Sequence, residues 1–203
     1  MKKNASLRDK ALAAFRRHGG MLRTKQVLAM GIHPRTLYAL RDAGQIAAVT
    51  RGRYRLADLP PLGNPDLVAV ASTIPKGVIS MISALAFHGI TTQVPHQVDV
   101  ALHRKGNRPR LKYPPVRVFW FSGPAFNEGI EAHVLDGVQV RIYCPAKTVA
   151  DCFKYRNKIG LDIALEGLRL CHRHRKAGVD DLMKYARICR VVNIMRPYLE
   201  AVL

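Results

Sequence analysis

The feature that most constrains this chain is a cluster of breakers, Leu59-Pro60-Pro61-Leu62-Gly63-Asn64-Pro65. Three prolines and a glycine so close together continue neither a helix nor a central strand. The chain therefore reads as residues 1–60, a stiff Pro-rich linker over 61–65, and residues 66–203. Charge divides along the same line. Residues 1–60 carry 13 Lys and Arg against 3 acids, whereas residues 61–203 carry 20 against 11 over more than twice the length. The whole chain of 203 residues stands at +19. Solubility does not require such an excess; a polyanionic partner, nucleic acid or an anionic membrane surface, gives it a purpose.

Several classes fall away. No apolar run approaches the ~18–20 residues that span a bilayer; the nearest, Leu67–Ile74, is short and holds Ser72 and Thr73. Leu7–Phe15 is interrupted by Arg8, Asp9 and Lys10, so it makes no secretory core. The four cysteines, Cys144, Cys152, Cys171 and Cys189, contain no C-x-x-C pair and read as buried thiols of a cytoplasmic protein. Phosphate-loop, nucleophile-elbow, HExxH and dinucleotide signatures are absent.

Residues 1–60 read as three helices and a hairpin. Ser6 is placed to cap a helix carrying Leu7, Ala11, Ala14 and Phe15, which Gly19-Gly20 stops. Thr24 is placed to cap a second helix that ends at Gly31. Pro34 opens a third, with His33 at its cap, and Gly44 ends it. Gln45–Thr50 and Arg53–Leu56 then read as strands turning at Arg51-Gly52, with Arg53 and Arg55 on one face. Helix, helix, short turn, helix and basic hairpin is the winged helix-turn-helix pattern.

In such a module the third helix enters the major groove, where base edges carry distinct donors and acceptors. Leu37 and Leu40 share its inner side, leaving His33, Arg35, Thr36 and Tyr38 as base-reading candidates. Arg35 leads, because a guanidinium grips a guanine edge with two bonds. Arg23, Thr24 and Lys25 at the second helix start, and Arg51, Arg53 and Arg55 on the wing, are the phosphate candidates. Arg16 and Arg17 match a solvated helix face equally well.

Residues 66–203 read as α+β. Helices are expected over Pro65–Ile74 and Ser80–His88. Strands are expected over Gln97–Leu102, Val116–Phe121, Glu131–Asp136 and Val138–Tyr143, the last two joined by Asp136-Gly137. From Pro145 the pattern is helical, and Pro197 is expected to start a short final helix. The fold class is thus an N-terminal winged helix-turn-helix followed by a mixed α/β domain with a small antiparallel-rich sheet and a helical C-terminus. A loop with Arg104, Lys105, Arg108, Arg110 and Lys112 offers an extra nucleic-acid contact or a plain solvated surface. His88 reads as capping its own helix, Cys144 as an inert thiol, and Lys147 with Asp151 as an intrahelical pair. Asp99 lacks the companions of a nuclease metal site, and Cys171-His172-Arg173-His174 lacks a second ligand pair, so no metal or cofactor is expected.

Three groups of residues carry a family resemblance. They are Gly20-Met21-Leu22-Arg23-Thr24-Lys25-Gln26-Val27-Leu28, Leu40-Arg41-Asp42-Ala43-Gly44-Gln45-Ile46 and Arg51-Gly52-Arg53-Tyr54-Arg55-Leu56. Together they resemble the AbiEi-type antitoxins, regulators of type IV toxin–antitoxin systems. Ile79–Thr91, with its Leu-x-x-His-Gly-like element, and Pro145–Asp151, with Pro-x-x-Thr-Val-x-Asp, extend the likeness. The resemblance implies a winged helix followed by an antitoxin domain. It also implies repression of the chain's own operon through inverted repeats, as a monomer or homodimer on double-stranded DNA, and a co-encoded nucleotidyltransferase-like toxin as partner. No catalysis and no membrane association are implied. The residues by themselves leave two other readings open, an RNA- or toxin-binding module and a degenerate nucleic-acid-acting enzyme in residues 66–203.

Overall fold

The computed structural model describes residues 2–104, 106, 107, 109 and 111–202, and of residues 2–6 only the backbone. The chain divides into two compact units, Met1–Thr73 with Leu135–Val138, and Ile74–Val134 with Gln139–Leu203. Among the described residues no helix is long and apolar enough to cross a membrane.

The first unit runs α1 (Lys2–Arg17), β1 (Met21–Arg23), α2 (Thr24–Ala29), α3 (Pro34–Asp42), β2 (Ile46–Thr50), β3 (Arg53–Leu56) and α4 (Pro65–Thr73). Its three strands form an antiparallel sheet in the order β1-β3-β2. Phe15, Leu22, Val27, Leu37, Leu40, Ile46, Tyr54 and Leu56 pack into one core between helices and sheet. Three helices end in the same way. Gly19, Gly31 and Gly44 all have positive φ. Each donates to the residue three before it, and the next amide reaches back to Phe15, Val27 or Leu40 respectively. This is the Schellman arrangement, which satisfies carbonyls that the last helical turn leaves open.

The expected boundaries shift at two starts. Ser6 lies inside α1, which begins at Lys2, so it is no cap. Arg23, not Thr24, is the residue that precedes α2 with extended backbone, and its N–H donates to Gln26 Oε1 at 2.9 Å. Strand β1, a three-residue segment before α2, has too little alternation to be read from sequence.

The second unit comprises β4 (Val78–Ile79), α5 (Met81–His88), β5 (Val98–His103), β6 (Val116–Phe121), α6 (Pro124–Asn127), β7 (Ile130–Leu135), β8 (Val138–Tyr143), α7 (Pro145–Lys154), α8 (Arg156–Ile159), α9 (Leu161–Arg173), α10 (Val179–Cys189) and α11 (Val192–Glu200). The α+β class with a helical C-terminus is therefore the observed one, but the small antiparallel sheet is that of the first unit, and the antiparallel-rich sheet expected here is corrected to a mixed one. The second sheet, in the order β6-β5-β4-β8-β7, is mixed: β5–β6 and β4–β8 are parallel and β4–β5 is antiparallel. Side-chain alternation carries no information about strand direction, so the parallel pairs were not expected. Pro197 stands inside α11, not at its start. Its ring removes one helical donor from a helix whose Met195 and Leu199 are held in the core.

A polar layer orders this unit. Asp99 lies opposite Arg117 in the β5–β6 register, and Arg117 Nε and Nη2 donate to its two carboxylate oxygens at 2.8 and 2.9 Å. Lys147 and Asp151, one turn apart on α7, form a wholly buried pair. Cys189 Sγ donates to the other oxygen of Asp151 at 3.1 Å, while Lys147 Nζ lies 4.1 Å from the Tyr143 ring centroid. His88 does not cap its own helix. Its Nε2 lies 2.7 Å from the Tyr143 carbonyl on β8, which also accepts from Thr148 Oγ1. The reason is the left-handed Gly89, which turns the chain and closes α5 with backbone bonds instead.

Candidate nucleic-acid interface

Helix α3 presents two unlike sides. Leu37 and Leu40 are fully buried in the first unit's core, whereas Arg35 and Tyr38 are exposed and Thr36 is half-buried. Pro34 occupies the first turn, where its missing N–H costs nothing. His33 caps the helix: its Nδ1 accepts from the Arg35 N–H at 3.1 Å, which leaves Nε2 as the donor of the neutral ring. Arg41 lies over the Tyr38 ring at 5.2 Å and pairs with Asp42 at 2.8 Å. The phenol is thus braced from behind by a residue that sequence reading did not single out. The signal was the i, i+3 spacing of Tyr38 and Arg41 on a helix.

The start of α2 is tied to the β2–β3 turn. Thr24 N–H donates to the Gly52 carbonyl at 2.8 Å, and Thr24 Oγ1 donates to the same oxygen at 3.2 Å. The Thr24 hydroxyl therefore clamps the β2–β3 turn; it does not cap its own helix. Gly52 has φ +74°, a conformation that L side chains resist. Arg51 is exposed beside it.

Strand β1 adds what local reading could not show. Its pairing with β3 sets Arg23 directly opposite Arg53 and Met21 opposite Arg55. Arg53 is held below the usual guanidinium range, first by burial and then by the charge of Arg23. Its Nη1 touches Met21 Sδ at 3.5 Å, and its buried Nε has no hydrogen-bond partner. Among the described residues no carboxylate pairs with Arg23, Lys25, Arg35, Arg51, Arg53 or Arg55. Arg55 is committed internally, donating through Nη2 to the Pro60 carbonyl.

Two grooves connect these parts. One, between α1 and the α2–α3 turn, is lined by Lys10, Arg17, His18, His33 and Thr36, among others. The other is lined by His18, Arg23, Lys25, Gln26 and Arg53, among others. His18 lines both, so the two grooves and their basic residues adjoin, reaching from the start of α3 to the β2–β3 hairpin. Lys10, Arg17 and His18 are the members that sequence reading missed or left as a solvated face. Arg16 points elsewhere, 3.8 Å from Asp58. Lys105, Arg108 and Arg110 lie outside the described residues; Arg104 and Lys112 are exposed in the second unit.

Asp99 and Asp151, the carboxylates that sequence reading weighed for catalysis, are engaged in the Arg117 and Lys147 pairs. Cys144 is half-buried with its thiol pushed up by burial, which disfavours a reactive thiolate. Among proteins of curated function, none matches this chain. The elements at Ile79–Thr91 and Pro145–Asp151 lie outside the segment that a family model covers. That segment is the one bearing the basic residues of both grooves, the clamp and the exposed face of α3: residues 9–57 match the family of AbiEi antitoxin transcriptional regulators.

Proposed function

We propose that the first unit is a winged helix-turn-helix and that the chain is a DNA-binding regulator of a toxin–antitoxin system. In this reading residues 1–60 form the DNA-binding module and the remainder, beyond the Pro-rich segment, the antitoxin or regulatory part. Helix α3 reads bases in the major groove through Arg35, Thr36 and Tyr38, with His33 Nε2 donating at the helix start. Arg23, Thr24, Lys25, Arg51 and Arg53 hold phosphates. The chain works without catalysis, in the cytoplasm, on an inverted-repeat operator in its own promoter. Two copies of the module occupy the two half-sites, and a co-encoded nucleotidyltransferase-like toxin is the functional partner.

The observation that carries this reading is the cross-strand placement of Arg23 against Arg53. Like charges directly opposite in a sheet are unfavourable. With no described carboxylate between them, the pair leaves an uncompensated positive site that an anion completes at little structural cost. A phosphate from the duplex backbone supplies that anion, and the Thr24–Gly52 clamp sets its position. The family match over residues 9–57 supports the same conclusion.

The test is a fluorescence-anisotropy titration of the promoter duplex over a range of salt. With about 4–6 phosphates neutralised, log K falls against log[salt] with a slope of about −4 to −5. A slope near zero overturns the proposal. Displacement of the labelled duplex by unlabelled duplex, but not by single-stranded RNA of the same charge, separates it from RNA recognition.

A further inference from the structure

The second unit holds a pocket that the DNA reading does not use. Its floor is set by topology. Strands β5 and β6 are parallel neighbours, and both end here: Arg104 follows β5 and Ser122 follows β6. The pocket lies against the carboxyl ends of these two strands. Lys154 and Tyr155, at the end of α7, line it as well, and the Tyr155 hydroxyl donates to the Trp120 carbonyl at 2.9 Å, fastening helix end to strand end. The cavity is about 490 Å³, within the range of small-molecule sites.

The lining is chemically one-sided. Trp120, next to last in β6, is 37% exposed and is among the residues that line the pocket. Arg104 and Lys154 are exposed, and among the described residues neither is paired with a carboxylate. None of the described lining residues is acidic. Lys154 Nζ stands 5.9 Å from the Phe121 ring centroid, which keeps its charge against the pocket wall. Ser122 adds a hydroxyl.

An exposed aromatic residue beside two cations that make no ion pair among the described residues matches a ligand with a flat ring at one end and an anion at the other. We propose that this pocket binds a nucleoside phosphate, its base against Trp120 and its phosphate between Arg104 and Lys154, with the Ser122 hydroxyl donating to it. An uncharged sugar would leave both cations unused, and an inorganic anion would leave the ring unused. Stacking tolerates any base, so the site selects for phosphate and for a free end rather than for sequence. The same chemistry is offered by a free nucleotide and by the terminal nucleotide of a single strand.

Trp120 is the chain's only tryptophan, so indole fluorescence of the intact protein reports on this pocket. The probes are adenosine 5′-monophosphate, a 5′-phosphorylated single-stranded oligothymidylate, adenosine, and inorganic phosphate. Saturable quenching is expected with the first two, and dissociation constants about tenfold weaker with adenosine or phosphate alone. Tighter binding of the mononucleotide identifies a free nucleotide as the ligand; tighter binding of the oligonucleotide identifies a strand end. Arg104→Ala and Lys154→Ala, both at exposed positions and checked for unchanged melting, each weaken binding about tenfold. Absence of saturable quenching with both nucleotide probes overturns the proposal, as does quenching unaltered in both variants. The DNA titration described above does not depend on this outcome.

Discussion

Replacing Arg53 with methionine separates the two roles that its position imposes. The straight side chain keeps the stem contact with Met21, while the charge opposite Arg23 disappears. A like-charge cross-strand pair costs about 0.2–1 kcal/mol. For a unit of this size that corresponds to a rise of about 1–8 °C in its thermal transition. The unpartnered Nε is also removed from its buried position, which adds to the same direction. DNA binding moves the opposite way. One lost phosphate contact makes the salt slope shallower by about 0.9 and weakens low-salt affinity for all sequences alike. Added salt raises the melting temperature of the wild-type first unit by screening the pair, and does so less in the variant. Arg23→Met relieves the same repulsion, so the double variant gains less than the sum of the two. Differential scanning calorimetry and anisotropy titrations measure both quantities. A fall in melting temperature with an unchanged salt slope would refute the reasoning, because Arg53 would then be a structural cation with an unseen partner.

Three further outcomes follow from particular contacts. Arg35→Ala relaxes base preference at one operator position by about 1–3 kcal/mol, read by competition with single-base operator variants, while the salt slope changes little. Asp151→Ala strands Lys147 in the core and removes the acceptor of Cys189. It destabilises the second unit by about 3–5 kcal/mol in urea unfolding, and the double change Lys147→Met with Asp151→Leu recovers most of that. His88 is held below the ordinary imidazole range chiefly by burial. The unfolded chain then binds the proton more readily, so the second unit is fully stabilised above about pH 6.5 and loses stability as pH falls through the folded value. His88→Gln flattens this acid limb in pH-dependent melting; an unchanged limb would show that another group sets it.

The local elements were legible because local chemistry makes them. Gly19, Gly31 and Gly44 stop three helices wherever the rest of the chain goes, since a left-handed residue after a helix is nearly a glycine property. Pro34 with His33 marked the start of α3, and the spacing of Leu37 and Leu40 told its buried side from its exposed one. Strands Val116–Phe121 and Val138–Tyr143 were bounded correctly by their own alternation and by Asp136-Gly137. The chemistry legible from residue types alone was a cationic module with Arg35, Tyr38 and an arginine-bearing hairpin.

What sequence could not convey is which residues meet. Strands β1 and β4 are three and two residues long, too short for a period to register, yet β1 places Arg23 across from Arg53 and β4 joins the two halves of the second sheet. Thr24 looked like a cap and became a clamp on Gly52, because a hydroxyl takes whichever carbonyl the fold brings near it. Lys147 and Asp151 read as a simple intrahelical pair; only the packing of Tyr143, Phe121 and Cys189 around them made the pair a buried one. Propensity, spacing and charge are properties of neighbouring residues and are written along the chain. Strand partners, burial of charge and the convergence of Arg104, Trp120 and Lys154 on one pocket arise from contacts distant in sequence, which only the folded backbone creates.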